Sequence, residues 1–159
     1  MSAKGADSAG VYFPPPLLYL IPLFLGIWLR HLDPLIQVSP ATAALLKRAG
    51  VALGLVAAAL LLWALITFWR ARTAVIPHRT ATTLVIRGPY RLTRNPMYLG
   101  LTILYIGVSL WAASAWSLLF LPMVIIVMRV AVINREEAYL ARRFGDQYRQ
   151  YQAQVRRWI

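Results

Sequence analysis

Charged residues are sparse along this chain, and the uncharged stretches between them predict its helices. A hydrocarbon core of roughly 30 Å takes about 20 helical residues, so runs of that size are candidate spans. Ser8 to Leu29 carries no charge and is strongly apolar from Leu17 onward. Pro14, Pro15 and Pro16 stiffen its start, and Pro22 kinks a helix without forbidding it, which places span one at Pro16 to Leu32. Ala49 to Trp69 is a second run, closed by Phe68 and Trp69 just before Arg70 and Arg72, the pattern of an aromatic belt followed by a basic anchor. From Asn95 to Met128 the chain is again uncharged, too long for one span, and extension past Arg129 to Ile133 makes room for two. The split falls at the small residues Ala112 to Ala115. Span three is then Met97 to Trp111 and span four Trp116 to Ile133, bent at Pro122. The expected class is all-α, a polytopic membrane helix bundle of about four transmembrane helices in one domain over residues 1–159.

Two further segments have a different texture. Thr73 to Pro96, with its threonines, Gly-Pro and Asn-Pro, reads as an irregular loop. Asn134 to Val155 has helical composition, with Ala138, Leu140, Ala141, Phe144, Tyr148 and Tyr151 on one broad face and Gly145 as the weak point. If the N-terminus is cytoplasmic, the inner side holds Lys4, Arg70, Arg72, Arg79, Arg87, Arg91, Arg94 and the six arginines from Arg135 to Arg157. The outer side holds only Arg30, Lys47 and Arg48, and the bias puts both termini inside. Lys47 and Arg48 run against it. Gly50 to Gly54 and Ala57 to Ala59 give span two small residues for close packing, within or between chains, and the oligomeric state stays open.

Composition agrees with a membrane protein: 60% apolar, 14% charged and a mean hydropathy of +0.60. The net charge of +12 is expected to meet membrane lipid and not nucleic acid. The first apolar stretch has neither the basic cluster nor the small-x-small site of a signal peptide. With no cysteine there are no disulfides, thiol nucleophiles or cysteine-ligated metals, and His31 and His78 lack metal-site spacing, so no metal is expected. The scattered glycines contain no G-x-G-x-x-G, which argues against a soluble-type nucleotide fold.

Candidate chemistry concentrates in two places. The first is Arg87 to Tyr98 (RGPYRLTRNPMY), a long loop dense in polar groups that runs into span three. Asn95 and Pro96 fit an N-cap and a first helical residue, but capping leaves Arg94 and Tyr98 unexplained. The second is Glu136-Glu137. Arg129 precedes Glu136 by seven residues, close to two α-helical turns, which predicts one shared face. Arg129 either lines a site there or snorkels to the headgroups, and the glutamates either face a cavity or pair along their helix with Arg129, Arg142 and Arg143. These groups suit an amphoteric ligand with an ammonium, a carboxylate and a flat base. S-adenosylmethionine is one, and residue chemistry alone does not select it over others.

Arg87-Gly88-Pro89-Tyr90-Arg91, then Arg94-Asn95-Pro96-Met97-Tyr98-Leu99-Gly100, a helical hairpin, Glu136-Glu137 and Phe144-Gly145-Asp146-Gln147-Tyr148-Arg149-Gln150-Tyr151 together resemble the isoprenylcysteine carboxyl methyltransferase and phospholipid methyltransferase superfamily of integral membrane enzymes. The likeness covers roughly residues 80 to 158. It implies S-adenosylmethionine as cofactor, with S-adenosylhomocysteine as product, and a lipid-like or prenylated acceptor methylated on carboxyl, amine or thiol. It also implies a small bacterial-type member of the inner membrane. Carried over residue by residue, it places Arg94, Asn95, Pro96, Tyr98, Leu99 and Glu136 on the cofactor, with Glu137 a second contact and Arg87, Tyr90 and Tyr148 closing the site. Arg94 or Arg129 would orient an acceptor carboxylate or phosphate, and Glu136 or Glu137 would serve as base for an amine. The eukaryotic pattern has histidine where this chain has Asn95, which cannot titrate, so no proton shuttle runs through that position. Two other readings follow from the same residues: a non-enzymatic membrane protein gripping anionic lipid, and a sterol-type NADPH-dependent reductase.

Overall fold

The structure, a computed structural model, describes Gly10, residues 14–71 and residues 83–158. Lys4, Arg72, Arg79 and the first part of the predicted loop lie outside the described residues. Six α-helices follow in order: α1 (Pro15–Leu32), α2 (Pro40–Arg70), α3 (Pro96–Trp111), α4 (Ala115–Val127), α5 (Asn134–Phe144) and α6 (Asp146–Gln154). A 3-10 turn at Gly88–Arg91 precedes α3, and a π-helical segment at Met128–Ile133 joins α4 to α5 without a break. The described chain is an all-helical bundle without strands. Three helices are long and apolar enough to cross a membrane: Pro15–Leu32, Pro40–Arg70 and the continuous Ala115–Phe144, whose apolar part ends at Ile133 before the charged α5.

The spans match the expectation except at four points. α2 begins at Pro40, nine residues before the predicted Ala49, because Ser39 caps it: its hydroxyl accepts from the Thr42 N–H at 3.2 Å, and Pro40 is preset for a first turn. Lys47 and Arg48 therefore ride on α2 itself. α3 has 16 residues, about 24 Å of rise, and falls short of a full crossing. The helix after span four breaks at Gly145, whose φ of +52° suits glycine, and α6 starts afresh. Its buried face also differs, because Tyr139 is buried while Ala138 is exposed.

Small residues set the packing. Gly50, Ala57 and Ala64 recur every seventh residue along α2 and are all buried, a seam that meets Gly100 and Gly107 of α3. A methyl group added at Gly50 would fall 2.5 Å from the Gly107 carbonyl oxygen, so the two backbones touch. The seam lies within the chain. On the other side α1 packs on α4: Gly26 sits against the Ser117 backbone, and the Ser114 and Ser117 hydroxyls donate to the Gly26 and Leu23 carbonyls at 2.8 and 3.1 Å. Tyr19, Leu23, Tyr105, Val124, Met128, Val132 and Tyr139 fill the core between α1, α3, α4 and α5.

The turn between α3 and α4 closes as a Schellman motif. The Ser114 N–H donates to the Ser109 carbonyl and the Ala113 N–H to the Leu110 carbonyl, both at 2.9 Å. Ala113 then takes φ +47°, a left-handed conformation costly for a residue with a Cβ. Ala113→Gly is expected to stabilise the protein by about 0.5–1 kcal/mol, read as a raised thermal midpoint in detergent.

Arg30 donates to the Ala113 carbonyl and Trp116 to the Asp33 carbonyl, which gathers the end of α1 and the α3–α4 turn at one end of the bundle. Lys47 lies over Trp111 at that same end. The loop before α3, α5, α6 and the C-terminal segment occupy the other end, where Arg135 donates to the Gly10 carbonyl.

Candidate functional site

The loop before α3 is built onto α2. Gly88 opens the 3-10 turn at φ +60°, and a Cβ there would fall 2.6 Å from the Thr67 hydroxyl and 3.2 Å from the Trp63 indole nitrogen. Only glycine meets both demands. Behind it Tyr90 is buried edge-to-face on Phe68, ring centroids 5.2 Å apart, with Ala64, Val85 and Met97 around it.

The two predicted clusters meet. The Tyr98 hydroxyl, one turn into α3, donates to Glu136 Oε1 at 2.6 Å, joining residues 38 apart in sequence. Glu137 takes the Arg94 guanidinium at 3.2 Å and the Arg157 guanidinium twice, at 3.1 and 2.5 Å. All three side chains of this ion cluster are mostly buried. The intrahelical pairing with Arg129, Arg142 and Arg143 that the sequence left open is replaced here by pairing across the fold.

The C-terminal segment crosses this turn as a strap. The Arg94 N–H donates to the Arg156 carbonyl at 2.9 Å. The Arg157 carbonyl accepts from the Thr93 hydroxyl and from Asn95 Nδ2, each at 3.0 Å. Asn95 holds the N-cap position of α3, yet its side chain makes no cap bond, a correction to the capping expectation. The strap engages it, and the Thr93 hydroxyl accepts the Asn95 N–H at 3.2 Å. Tyr151 of α6 donates to the Tyr90 carbonyl at 2.7 Å, and Tyr148 is fully buried 6.1 Å from the Tyr151 ring.

Electrostatics follow from this enclosure. Burial pushes the Glu136 carboxyl up to about 7; the Tyr98 hydrogen bond opposes the rise and the neighbouring Glu137 charge adds to it. Burial likewise raises the Tyr148 hydroxyl to about 12 and raises Tyr90 and Tyr151, so all three are neutral donors at ordinary pH. The Arg94 guanidinium faces the Tyr148 hydroxyl as well as Glu137, but its Nε is buried with no hydrogen-bond partner.

The remaining predicted residues divide. Pro96 is buried and Leu99 half-buried in the first turn of α3, beside Asn95 and Tyr98. Arg87 is exposed at the edge of the 3-10 turn. Arg129 is exposed and not on the face of Glu136. The π-helical segment explains the divergence: its i→i+5 bonding, seen in the Asn134 N–H to Arg129 carbonyl bond, inserts a residue's worth of rotation, about 100°, between them. Sequence reasoning gives Arg157 and Thr93 no role in the site, since only the return of the chain across the Arg94-Asn95-Pro96 turn brings them together, and it places Tyr151 on the broad face of the C-terminal helix and at the end of the motif, without a part in the site.

The described site combines two largely buried carboxylates, two arginines, four tyrosines and one unpartnered buried donor. The family described as phospholipid methyltransferase matches residues 45–147. A protein of Haemophilus influenzae described as uncharacterized is 40% identical over 63 residues, which is 40% of this chain and 100% of that protein. No solved structure matches.

Proposed function

Because the chain belongs to the phospholipid methyltransferase family, we propose that it transfers a methyl group from S-adenosylmethionine to a lipid-like acceptor at the cytoplasmic face of a membrane. The observation that carries this reading is the Tyr98–Glu136 hydrogen bond, which puts the Arg-Asn-Pro turn and the carboxylates after the last span in one place.

The residues present fit the cofactor. Glu136 is held by a neutral hydroxyl and, among the described residues, by no cation, which leaves its negative charge for an ammonium or sulfonium. Tyr98, half-buried beside Glu136, supplies an aromatic face that favours a cation or a flat base, and the buried Tyr90 and Tyr148 back the site. The unpartnered, buried Nε of Arg94 is a donor left for an acceptor such as a carboxylate. Asn95, Pro96 and Leu99 form the floor of the turn, with Arg87 at its rim. When bound, S-adenosylmethionine supplies an electrophilic methyl group. The protein's part is to orient the acceptor nucleophile and exclude water, which in favourable cases is worth about 7–11 kcal/mol. Glu136 takes the proton that an amine acceptor must lose. Arg129, on the lipid-facing surface, is placed to steer an anionic headgroup and not to touch the reacting atoms.

Sidedness rests on charge. Arg70, Arg87, Arg91, Arg94 and the arginines of α5, α6 and the strap gather at the site's end of the bundle, while Arg30, Lys47 and Arg48 are at the other, so the site faces the cytoplasm.

Purified enzyme incubated with bacterial lipid extract and isotopically labelled S-adenosylmethionine tests the reading: label in an extractable amphiphile supports it, and label in none contradicts it. Tyr98→Phe gives a finer check. Removing the hydroxyl removes the hydrogen bond that, among the described residues, favours the ionised Glu136, so the rising limb of the pH–rate profile moves to higher pH than the wild-type value near 7. A limb that stays in place contradicts the role given to Tyr98.

A further inference from the structure

Lys47 and Arg48 sit at the end of the bundle opposite the candidate active site, against the charge bias of the chain. Ala44, Lys47, Arg48 and Val51 fall at i, i+3, i+4 and i+7 of α2, one continuous face. Together with Trp111, at the last turn of α3, they line a shallow groove of about 560 Å³ whose walls are almost wholly apolar, Lys47 and Arg48 contributing mainly their aliphatic stems. Lys47 Nζ rests 5.3 Å from the centre of the Trp111 ring, a cation–π contact that holds the ammonium at the groove. Gly50 makes this possible: a Cβ there would meet the Trp111 nitrogen at 2.7 Å and its Cβ at 2.9 Å, so glycine lets Trp111 lie directly on α2. No acidic side chain lines the groove, and among the described residues none pairs with either cation.

Depth identifies the occupant. The charge-free run of α2 starts at Ala49, the residue after Arg48, and reaches Trp69, about the thickness of a hydrocarbon core, so the two cations stand where hydrocarbon gives way to headgroups. Trp111 has the position of an interfacial aromatic, and Val51 continues the face toward the acyl region. Lys47 offers a compact charge and Arg48 a planar fork, a pair suited to phosphate oxygens. With two cations and no anion, the groove has nothing to receive the ammonium of a zwitterionic headgroup.

We propose that this groove binds the headgroup phosphate of an anionic phospholipid in the leaflet opposite the methyl-transfer site. The proposal stands independently of the enzymatic reading, since none of these residues reaches the cluster around Glu136.

The test uses the full chain in mild detergent, titrated with dioleoyl phosphatidylglycerol, dioleoyl phosphatidylcholine or inorganic phosphate, with affinity read by native mass spectrometry and protection against thermal unfolding. Phosphatidylglycerol is expected to bind more tightly than the other two. The double variant Lys47→Gln/Arg48→Gln, both exposed positions that do not endanger folding, is expected to bind it about thirty-fold more weakly, from the attraction that two basic residues near a membrane surface supply. Arg142→Gln/Arg143→Gln, which removes as much charge at the other end, is expected to leave this site's affinity unchanged. Undiminished affinity in the first variant, loss in the second instead, or equal protection by phosphatidylcholine or by inorganic phosphate would each overturn the proposal.

Discussion

Glu136→Gln is expected to lower methyl transfer by about two to four orders of magnitude while leaving the fold intact. Glutamine has the shape of glutamate, and its amide oxygen accepts the Tyr98 hydroxyl as the carboxylate does at 2.6 Å, so packing against α3 survives. What disappears is the charge. Burial holds the Glu136 carboxyl near 7, so it is neutral in acid and anionic above that value. The proposed chemistry needs the anion, both to face a cationic ligand and to take a proton from an amine. The wild-type rate therefore rises with pH through about 7 and levels off above it, and the glutamine variant shows a low, flat profile over the same range. A variant of full activity, or a wild-type rate that falls as pH rises through 7, would remove Glu136 from the mechanism.

Glu137→Ala acts on stability instead. Its carboxylate stands between two guanidiniums, and all three groups are largely withdrawn from solvent. Deletion leaves Arg94 and Arg157 facing one another unpaired, a loss of about 3–5 kcal/mol for a buried pair broken on one side. In a chain of this size that lowers the thermal midpoint by roughly 10 °C. Hydrogen exchange locates the damage: the Arg94 amide, which now donates to the Arg156 carbonyl, loses protection as the strap lifts. Arg157→Ala is milder, because Arg94 still neutralises the carboxylate. An unchanged midpoint and a protected Arg94 amide in Glu137→Ala would show that backbone bonds alone hold the strap.

Much of this architecture is legible in the sequence, for reasons specific to each element. α1 and α3 end and begin where charge-free runs meet proline or small residues, and the α3–α4 turn falls at Ala112–Ser114 because only short side chains permit so tight a hairpin. The start of α2 is hidden because Lys47 and Arg48 interrupt the charge-free run, although Ser39-Pro40 carries a capping signal. The π-helical segment leaves no periodic trace in an all-apolar stretch, yet it decides that Arg129 and Glu136 part company. In the site, the motif resemblance puts Arg94, Tyr98, Glu136 and Glu137 around one cofactor, but the direct Tyr98–Glu136 hydrogen bond and Arg94–Glu137 ion pair are not legible in it. Nor is the strap, because its contribution comes largely through the Arg156 and Arg157 carbonyls, groups that every residue possesses.

The central claim is that the Arg94–Tyr98 turn and the Glu136 carboxylate form one S-adenosylmethionine site, and calorimetry with S-adenosylhomocysteine tests it without requiring the acceptor to be known. Wild-type protein in detergent is predicted to bind it saturably, with Glu136→Gln and Asn95→Ala at least about tenfold weaker, a change of roughly 1.4 kcal/mol, and Lys47→Gln unchanged. Absence of binding by wild-type protein, or equal binding by all four proteins, would contradict it.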